Sequence, residues 1–541
     1  MEKDSKPVGE HIEHQDDKGS DPHHYTSTGA EVCESAYAGY SRAQVLRVFW
    51  KSTLFCALAV WAGLSDGYEY VVTVSIVSNQ GFINQFGTVD ASGTAAIPAV
   101  YMSLWGGLLA STQLIGQLVA GWLSDATGRK GTMYTFTVFC IVGVSLECAA
   151  TEWKLWLAAK TLMGVALGMV QVSITTYVSE VAPAQIRGAL LSGYSLAFAL
   201  GQFASAIALQ IIQTSAQPLK WRRAVYSQWV FIGIWMIIMV ILPESPWYWA
   251  GKQNVAQAKA SLRRLYGNIP GYDVDREYAV MEKEIAHSKA IHAEGKLPRF
   301  AEIFKGVNLR RTLASMMPIM LQQLCGVPIF FSYLTYLFQM AGIKDPFQST
   351  VIMYVILLVG ITISFWTTEL VGRRPVLLWG CVLMVLANIG LGITGSVKTT
   401  DGALRGSLAM SCIWVFVYSM SAAPLGWISA AETATPYLKS LTTGFAIGCY
   451  SALNLIFQFC VPLMLAKDGA DWGVKAAYLF AGLAILGGIG IYFLTPETAG
   501  RTYSELDELF ESGISPRKFA QTKTSAQMTG TKDSERVSSV V

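Results

Sequence analysis

Two carboxylates three residues apart, Asp66 and Glu69, interrupt the apolar run WAGLSDGYEYVVTVSI that starts at Trp61. An ionisable side chain in a membrane-crossing helix costs about 2.5–3.5 kcal/mol on insertion scales, so its default reading is functional, with a partner to be named. The chemistry open to such a group is to bind and release a proton, or to hydrogen-bond a polar solute. All six histidines (His11, His14, His23, His24, His287, His292) fall in the polar N-terminal segment or a polar loop. Intramembrane proton chemistry is therefore left to carboxylates. The nine cysteines stand singly without CxxC spacing, so neither a zinc site nor a redox pair is expected. No arrangement of nucleophile, base and oxyanion donors is present, and the chain does not read as an enzyme. No cofactor or metal is expected.

The elements that hold these carboxylates follow from composition. Of 541 residues, 52% are hydrophobic and 14% charged, too apolar for an ordinary soluble protein. The net charge of +3 and the scatter of basic residues among loops exclude a nucleic-acid partner. A helix needs about 20 mostly apolar residues to cross the hydrocarbon core. Candidates lie at 53–77, 98–123, 132–150, 155–178, 189–212 and 225–242, then at 312–339, 350–369, 375–395, 406–430, 441–465 and 474–495.

The expected organisation is an all-α membrane protein of twelve spans. A disordered cytosolic tail covers 1–45 and a six-helix bundle 46–242. A cytoplasmic loop occupies 243–311, a second six-helix bundle 312–495, and a cytosolic tail 496–541. Within the loop, NVAQAKASLRRLYG and REYAVMEKEIAHSKAIHAE have the spacing of surface helices, with NIPGYD as the turn between them. Arg129 and Lys130, Arg187, the loop, and Arg373 and Arg374 fall on one side of this scheme, whereas NQGFINQFGTVDASGTAA between the first two spans has no Lys or Arg. Both termini are therefore expected inside.

The halves echo each other. GWLSDATGRKG after span 2 and TELVGRRP after span 8 each put an acid shortly before a Gly-Arg-basic turn, the kind of internal repeat from which transporters build a site between two bundles. Topology signalling explains the arginines but leaves Asp125 and Glu369 unexplained.

These stretches, together with YVSEVAPAQIRGAL, LPESPWYWAGKQNVAQAKASLRRL, QQLCGVPIFFSYLTYLFQMAGI, PLGWISAAE and PETAGRTYSELDELF, resemble the sugar porter family of the major facilitator superfamily, and within it the fungal maltose and other α-glucoside permeases. The resemblance implies two bundles that alternate access to a central sugar site. It implies that Asp125, Arg129, Glu180, Arg187 and Glu244 in one half, and Glu369, Arg373, Glu432 and Glu497 in the other, form a cytoplasmic latch of salt bridges. It also implies sugar contacts from Gln322 and Gln323, Trp427, and Asn454 or Gln458. Amides donate and accept hydrogen bonds, and an indole stacks on a sugar ring. A lone amide serves helix packing equally well, and Trp427 also fits an interfacial or core position.

Two departures stand out. Ser195 occupies a family amide position on span 5, and Pro328 replaces an Asn on span 7. With each hydrogen bond worth about 1 kcal/mol, their loss points to relaxed specificity or a differently shaped ligand.

The same resemblance aligns Gly67, Tyr68 and Glu69 with a GYD motif whose carboxylate carries the proton in symporters, and makes Lys160, in KTLMG, its partner on span 4. Depth agrees: at ~1.5 Å per residue, Glu69 and Lys160 lie within a turn of each other. An approaching cation drives the carboxylate to release its proton. The alternative is a permanent Glu69–Lys160 salt bridge in a facilitator. Asp66, one turn away, either tunes Glu69, contacts substrate, or serves packing.

The expected function is proton-coupled sugar uptake across the plasma membrane by a monomer, the sugar being an α-glucoside or a hexose. The alternatives are a non-sugar polyol or metabolite carrier on the same scaffold, and a facilitator. A sugar sensor is disfavoured by the short segment after Pro496.

Overall fold

The computed structural model describes residues 42–524, except 90–94, 184–185, 215–219, 268, 270, 295–298, 341–343, 398–399, 435–437, 500, 502 and 523; some further side chains, that of Glu369 among them, also lie outside the description. The expected tail therefore falls largely outside, although a helix at Arg42–Val48 begins within it.

All twelve expected spans are helical. Span 1 comprises Trp50–Val60 and Ala62–Ser75, span 2 Ala99–Thr127, span 3 Arg129–Ala149, span 4 Trp153–Val181, span 5 Arg187–Thr214 and span 6 Gln228–Ile241, preceded by the short helix Arg222–Tyr226. Span 7 comprises Gly306–Leu324, a π turn at Pro328–Ser332 and Leu334–Met340. Span 8 is Pro346–Leu370, span 9 Arg373–Ser396, span 10 Asp401–Met420 with Ala422–Glu432, span 11 Lys439–Leu465 and span 12 Ala477–Leu494. Nine helical stretches are, by length and composition, apolar enough to cross a membrane among the described residues. Spans 1, 2 and 7, which carry the carboxylate pair, Gln113 and Gln117, and Gln322 and Gln323 respectively, are the three that fall outside that set.

The buried apolar side chains form one core drawn mainly from spans 1–6, joined by Phe347 and Ala466, and another drawn mainly from spans 7–12, joined by Val71, Ala199 and Ala206, in keeping with two six-helix bundles that pack against each other. Helix contact within a bundle is close enough to exclude a side chain. A Cβ on Gly67 of span 1 would lie 1.9 Å from the Phe198 carbonyl oxygen of span 5, and one on Gly201 2.2 Å from that of Leu64. This fixes the rotation of span 1 and thereby the direction in which Asp66 and Glu69 project.

Span 7 is broken because Gly326 takes a φ of 116° and Pro328 has no N–H to donate. The carbonyl of Cys325 at the break accepts from Asn388 Nδ2 at 2.8 Å and Trp414 Nε1 at 3.1 Å, which satisfies backbone that lipid could not.

Between the bundles, helices Val255–Tyr266 and Val274–Glu294 occupy the two segments expected to be helical. They join through a small core of Ala258, Leu262, Tyr278 and Met281 and a 2.5 Å Lys259–Asp275 pair. After span 12, a helix at Tyr503–Glu511 packs Leu506, Leu509 and Phe510 against Ala314 of span 7, and Asp507 pairs with Arg311 at 2.5 Å. The end of the molecule carrying these segments is termed the loop end, and its opposite the far end.

Candidate functional site

Glu69 of span 1 and Lys160 of span 4 meet at 2.6 Å, both fully buried. Their pairing is part of a larger cluster. Lys160 Nζ also lies 2.7 Å from Glu147 Oε1 on span 3, another fully buried side chain, and 4.3 Å above the Trp156 ring. Thr73 donates to Glu69 Oε1 at 2.8 Å, and Gln228 of span 6 donates to Glu147 Oε2 at 3.0 Å. Glu69 Oε2 is buried with no hydrogen-bond donor among the described residues. Toward the far end, Phe82 contacts the rings of Trp105, Trp156 and Trp221 edge-on. An apolar aromatic plug thus separates the cluster from the far-end surface.

Glu147 was not among the sequence-predicted site residues, although the signal existed. It is an acid near the end of the apolar run VFCIVGVSLECAA, open to the argument applied to Asp66 and Glu69.

Asp66 is also buried, 1% exposed, but has no cation. Its Oδ2 accepts from Tyr194 Oη of span 5 at 2.6 Å and Gln171 Nε2 of span 4 at 3.0 Å, and Gln171 accepts from Gln117 of span 2 at 2.9 Å. The group thus ties four helices together by hydrogen bonds. A small cavity beside it is lined by Ser65, Asp66, Tyr68 and Gln228, bringing its border to the residue that holds Glu147.

The second half presents amides and aromatics in place of ions. Gln322 is occupied: its Nε2 donates to the Ala422 and Ala423 carbonyls at 2.9 and 3.3 Å, where span 10 breaks. Gln323 is fully buried, and neither end of its amide makes a hydrogen bond of good geometry, although the Tyr450 phenol is near enough to interact with it. Trp427 is 44% exposed and meets Tyr450 edge-on, centroids 5.8 Å apart. Asn454 is half-buried, and Ser195 is exposed on span 5.

Gln458 is committed elsewhere, donating to Ser332 at 2.8 Å and accepting from Tyr333 at 3.1 Å. Ser332 in turn meets Tyr70 of the first bundle at 2.7 Å. Three more bonds join the bundles on this side: Thr335 to Ser75 at 3.0 Å, the Ala99 N–H to Asp468 at 2.8 Å, and Ser103 to the Phe459 carbonyl at 2.9 Å. They close the far end.

At the loop end the two Gly-Arg turns have the same construction. Gly128 (φ 90°) and Gly372 (φ 100°) bring the next two N–H groups onto one carboxylate. Arg129 and Lys130 donate from their backbones to Glu244, both at 3.0 Å, and Arg373 and Arg374 to Glu497 at 2.9 and 3.0 Å. Each glutamate faces the positive end of a helix dipole. Burial nevertheless pushes the Glu244 carboxyl above its ordinary value, against three backbone donors that pull it down.

Arg129 then grips Glu180 at 2.5 Å and lies 3.6 Å from Asp125, which is 81% exposed. Arg373 lies 3.5 Å from Glu432, which accepts from Thr498 at 2.6 Å. Arg187 is exposed and makes no ion pair among the described residues. Glu369 lies outside the described side chains. Among the described residues, each of these ion pairs stays within its own half.

Compared with known proteins, residues 55–510 match the family model described as "Sugar (and other) transporter". The general alpha-glucoside permease of Saccharomyces cerevisiae is 27% identical over 88% of this chain and 78% of its own length. The MFS transporter fmqE of Aspergillus fumigatus is 26% identical over 91% of this chain and 95% of its own, and the hexose transporter HXT10 of S. cerevisiae 25% identical over 87% of each. Among solved structures, the inward open conformation of the xylose transporter XylE from E. coli superposes with a TM-score of 0.67 at 20% identity, covering 85% of this chain and 99% of that one. The same fold recurs in the proton:xylose symporter XylE bound to 6-bromo-6-deoxy-D-glucose, with a TM-score of 0.65.

Proposed function

The chain belongs to the family of sugar and other transporters, and on that premise we propose that it couples entry of a proton to uptake of a sugar, with Glu69 as proton carrier and Lys160 as its switch partner. The observation that carries this reading is the fully buried 2.6 Å pair. A charged pair without solvent access is costly to keep and gains little stability over apolar packing. It has a use if protonating Glu69 frees it from the ammonium and lets span 1 move against span 4.

In this reading the loop end and both termini are cytoplasmic, the membrane is the plasma membrane, and a far end closed by the Tyr70–Ser332, Ser75–Thr335 and Ala99–Asp468 bonds makes the conformation inward-facing. The two Gly-Arg turns brace the cytoplasmic rim of each bundle, and the latch of the opposite conformation forms when their arginines and carboxylates approach across the midline. The sugar sits beside Gln323, Trp427 and Asn454. The likeness to an α-glucoside permease favours a maltose-like disaccharide.

The experiment is uptake of labelled mono- and disaccharides into vesicles under an imposed pH gradient, with external alkalinisation followed on sugar addition. Maltose is expected to accumulate uphill, and Glu69→Gln to abolish accumulation. Uphill accumulation by Glu69→Gln refutes the carrier assignment.

A second reading, carriage of a non-sugar polyol or metabolite on the same scaffold, is favoured by one observation. With Gln322 spent on the Ala422 and Ala423 carbonyls, the site offers fewer free amides for a ring of hydroxyls. No alkalinisation with any sugar in the panel supports it.

A further inference from the structure

The buried ions of the first bundle do not balance. Glu69, Glu147 and Lys160 are each fully buried and in contact, so with both carboxylates ionised the cluster carries one excess negative charge in a buried site. Among the described residues, the salt bridges of the cluster are only those to Lys160. From span 1 come Asp66 and Tyr68, and from span 3 Cys140 and Cys148, none of them cationic. Span 6 offers the neutral amide of Gln228. Arg222, a cation on the short helix before span 6, turns its guanidinium to the carbonyls of Cys148 and Ala150 at the end of span 3. Asp66, one turn below Glu69, adds to the negative field.

The atom-by-atom contacts point the same way. Lys160 takes one oxygen from each carboxylate, and Gln228 satisfies the second oxygen of Glu147. The second oxygen of Glu69 has no donor among the described residues. The Glu69 and Glu147 carboxyl groups are near enough to interact directly, and two carboxyl groups can bond to each other only if one carries a proton. A single proton therefore removes the excess charge and gives the two acids, both held by Lys160, a donor that they otherwise lack.

We propose that Glu147 is a second proton-holding carboxylate, and that Glu69, Glu147 and Lys160 together hold one proton shared between the two acids. When the proton is on Glu69, Lys160 is neutralised by Glu147; when it moves to Glu147, Lys160 is neutralised by Glu69. The ammonium is never left bare in the bundle, so Glu69 can be released without stranding a buried charge. This gives the coupling reading above its mechanism and rests on that reading for its role in transport. The proton sharing itself is read by an experiment that needs no sugar.

The test is infrared spectroscopy of the full chain in lipid, comparing wild type with variants at neutral pH and following the C=O stretch of protonated carboxylic acid by its shift in deuterated water. The wild-type spectrum minus that of Glu147→Gln, and minus that of Glu69→Gln, is expected to show loss of one acid band in each case. Either deletion leaves a neutral carboxylate–ammonium pair that needs no proton. Glu147→Asp retains the band. A band that survives Glu147→Gln overturns the proposal.

Should Glu147→Gln fail to fold, Gln228→Met serves. It removes the donor to Glu147 Oε2, so the band is expected to persist to higher pH, by about a tenfold gain in proton affinity; an unmoved band overturns the proposal. Absence of sugar-induced alkalinisation in the wild type refutes the transport reading instead, and leaves the infrared result to decide the shared proton.

Discussion

The two halves of the molecule share a loop-end device and differ in what they bury. In both, a glycine with positive φ turns the chain so that two successive N–H groups clasp one glutamate, Glu244 in the first half and Glu497 in the second. Behind that turn the first half encloses three ionisable groups, Glu69, Glu147 and Lys160. The second encloses neutral amides and rings, with Asn388 and Trp414 on the Cys325 carbonyl and Gln323 beside the Tyr450 phenol. The repeat keeps the bracing and leaves the interiors to differ, one built of ionisable groups and the other of neutral amides and rings, a difference that the proposed function assigns to the proton and to the solute respectively. Partial burial of charge is supported by the helix dipole and backbone donors at the turn, whereas the deep cluster has only its own members to balance it.

The largest effect that would sharpen this contrast is expected from Lys160→Met. It leaves the two acids without their cation and should cost about 3–5 kcal/mol, read as a fall in thermal unfolding temperature of the detergent-solubilised chain. Adding Glu69→Gln and Glu147→Gln to the same chain should restore most of the loss. A single Lys160→Met chain as stable as wild type would mean that the charges are not coupled.

Next come the paired turns. A Cβ on Gly128 would lie 2.5 Å from Glu244 Oε2, and one on Gly372 2.8 Å from Glu497 Oε2, at backbone angles that alanine resists. Gly128→Ala and Gly372→Ala should each lose about 1–3 kcal/mol, and by similar amounts in the same unfolding assay. Strongly unequal losses would break the equivalence of the halves.

A smaller effect is expected from Gln323→Ala in the second half. Loss of a substrate hydrogen bond of about 1 kcal/mol should raise the uptake KM roughly fivefold while leaving its pH dependence unchanged, the reverse of what first-half variants do. A shifted pH profile with an unchanged KM would remove the division of labour.

The smallest concerns Glu244. Its carboxyl is raised by burial, so the folded state binds this proton more readily than the unfolded chain does. Its contribution to stability therefore grows as pH falls from the raised value toward the ordinary one. Glu244→Gln should flatten that part of the unfolding curve under mildly acidic conditions, and an unchanged curve would remove Glu244 as its source.

Much of this was legible in the amino acids. Hydropathy marked out twelve segments that are helical in the structure, nine of them long and apolar enough among the described residues to cross a membrane by composition alone. The Gly-Arg repeat announced the paired turns, since positive φ and adjacent N–H donors are local properties of a short segment. The depth of Glu69 and Lys160 along their helices let them meet, and they do so at 2.6 Å. Other contacts follow from how neighbouring helices are rotated, and periodicity along one segment carries no information about that. Asp66 finds Tyr194 and Gln171 on spans 5 and 4. Gln322 is drawn to the carbonyls of span 10 while its neighbour Gln323 faces the Tyr450 phenol. Glu147, one more acid in an apolar run, becomes the second ligand of Lys160. The sequence by itself determined which segments enter the membrane and which ionisable groups go with them. Only the packing of the helices decided which of those groups touch, because the partner of a buried charge lies on another helix and is chosen by close approach at residues such as Gly67 and Gly201.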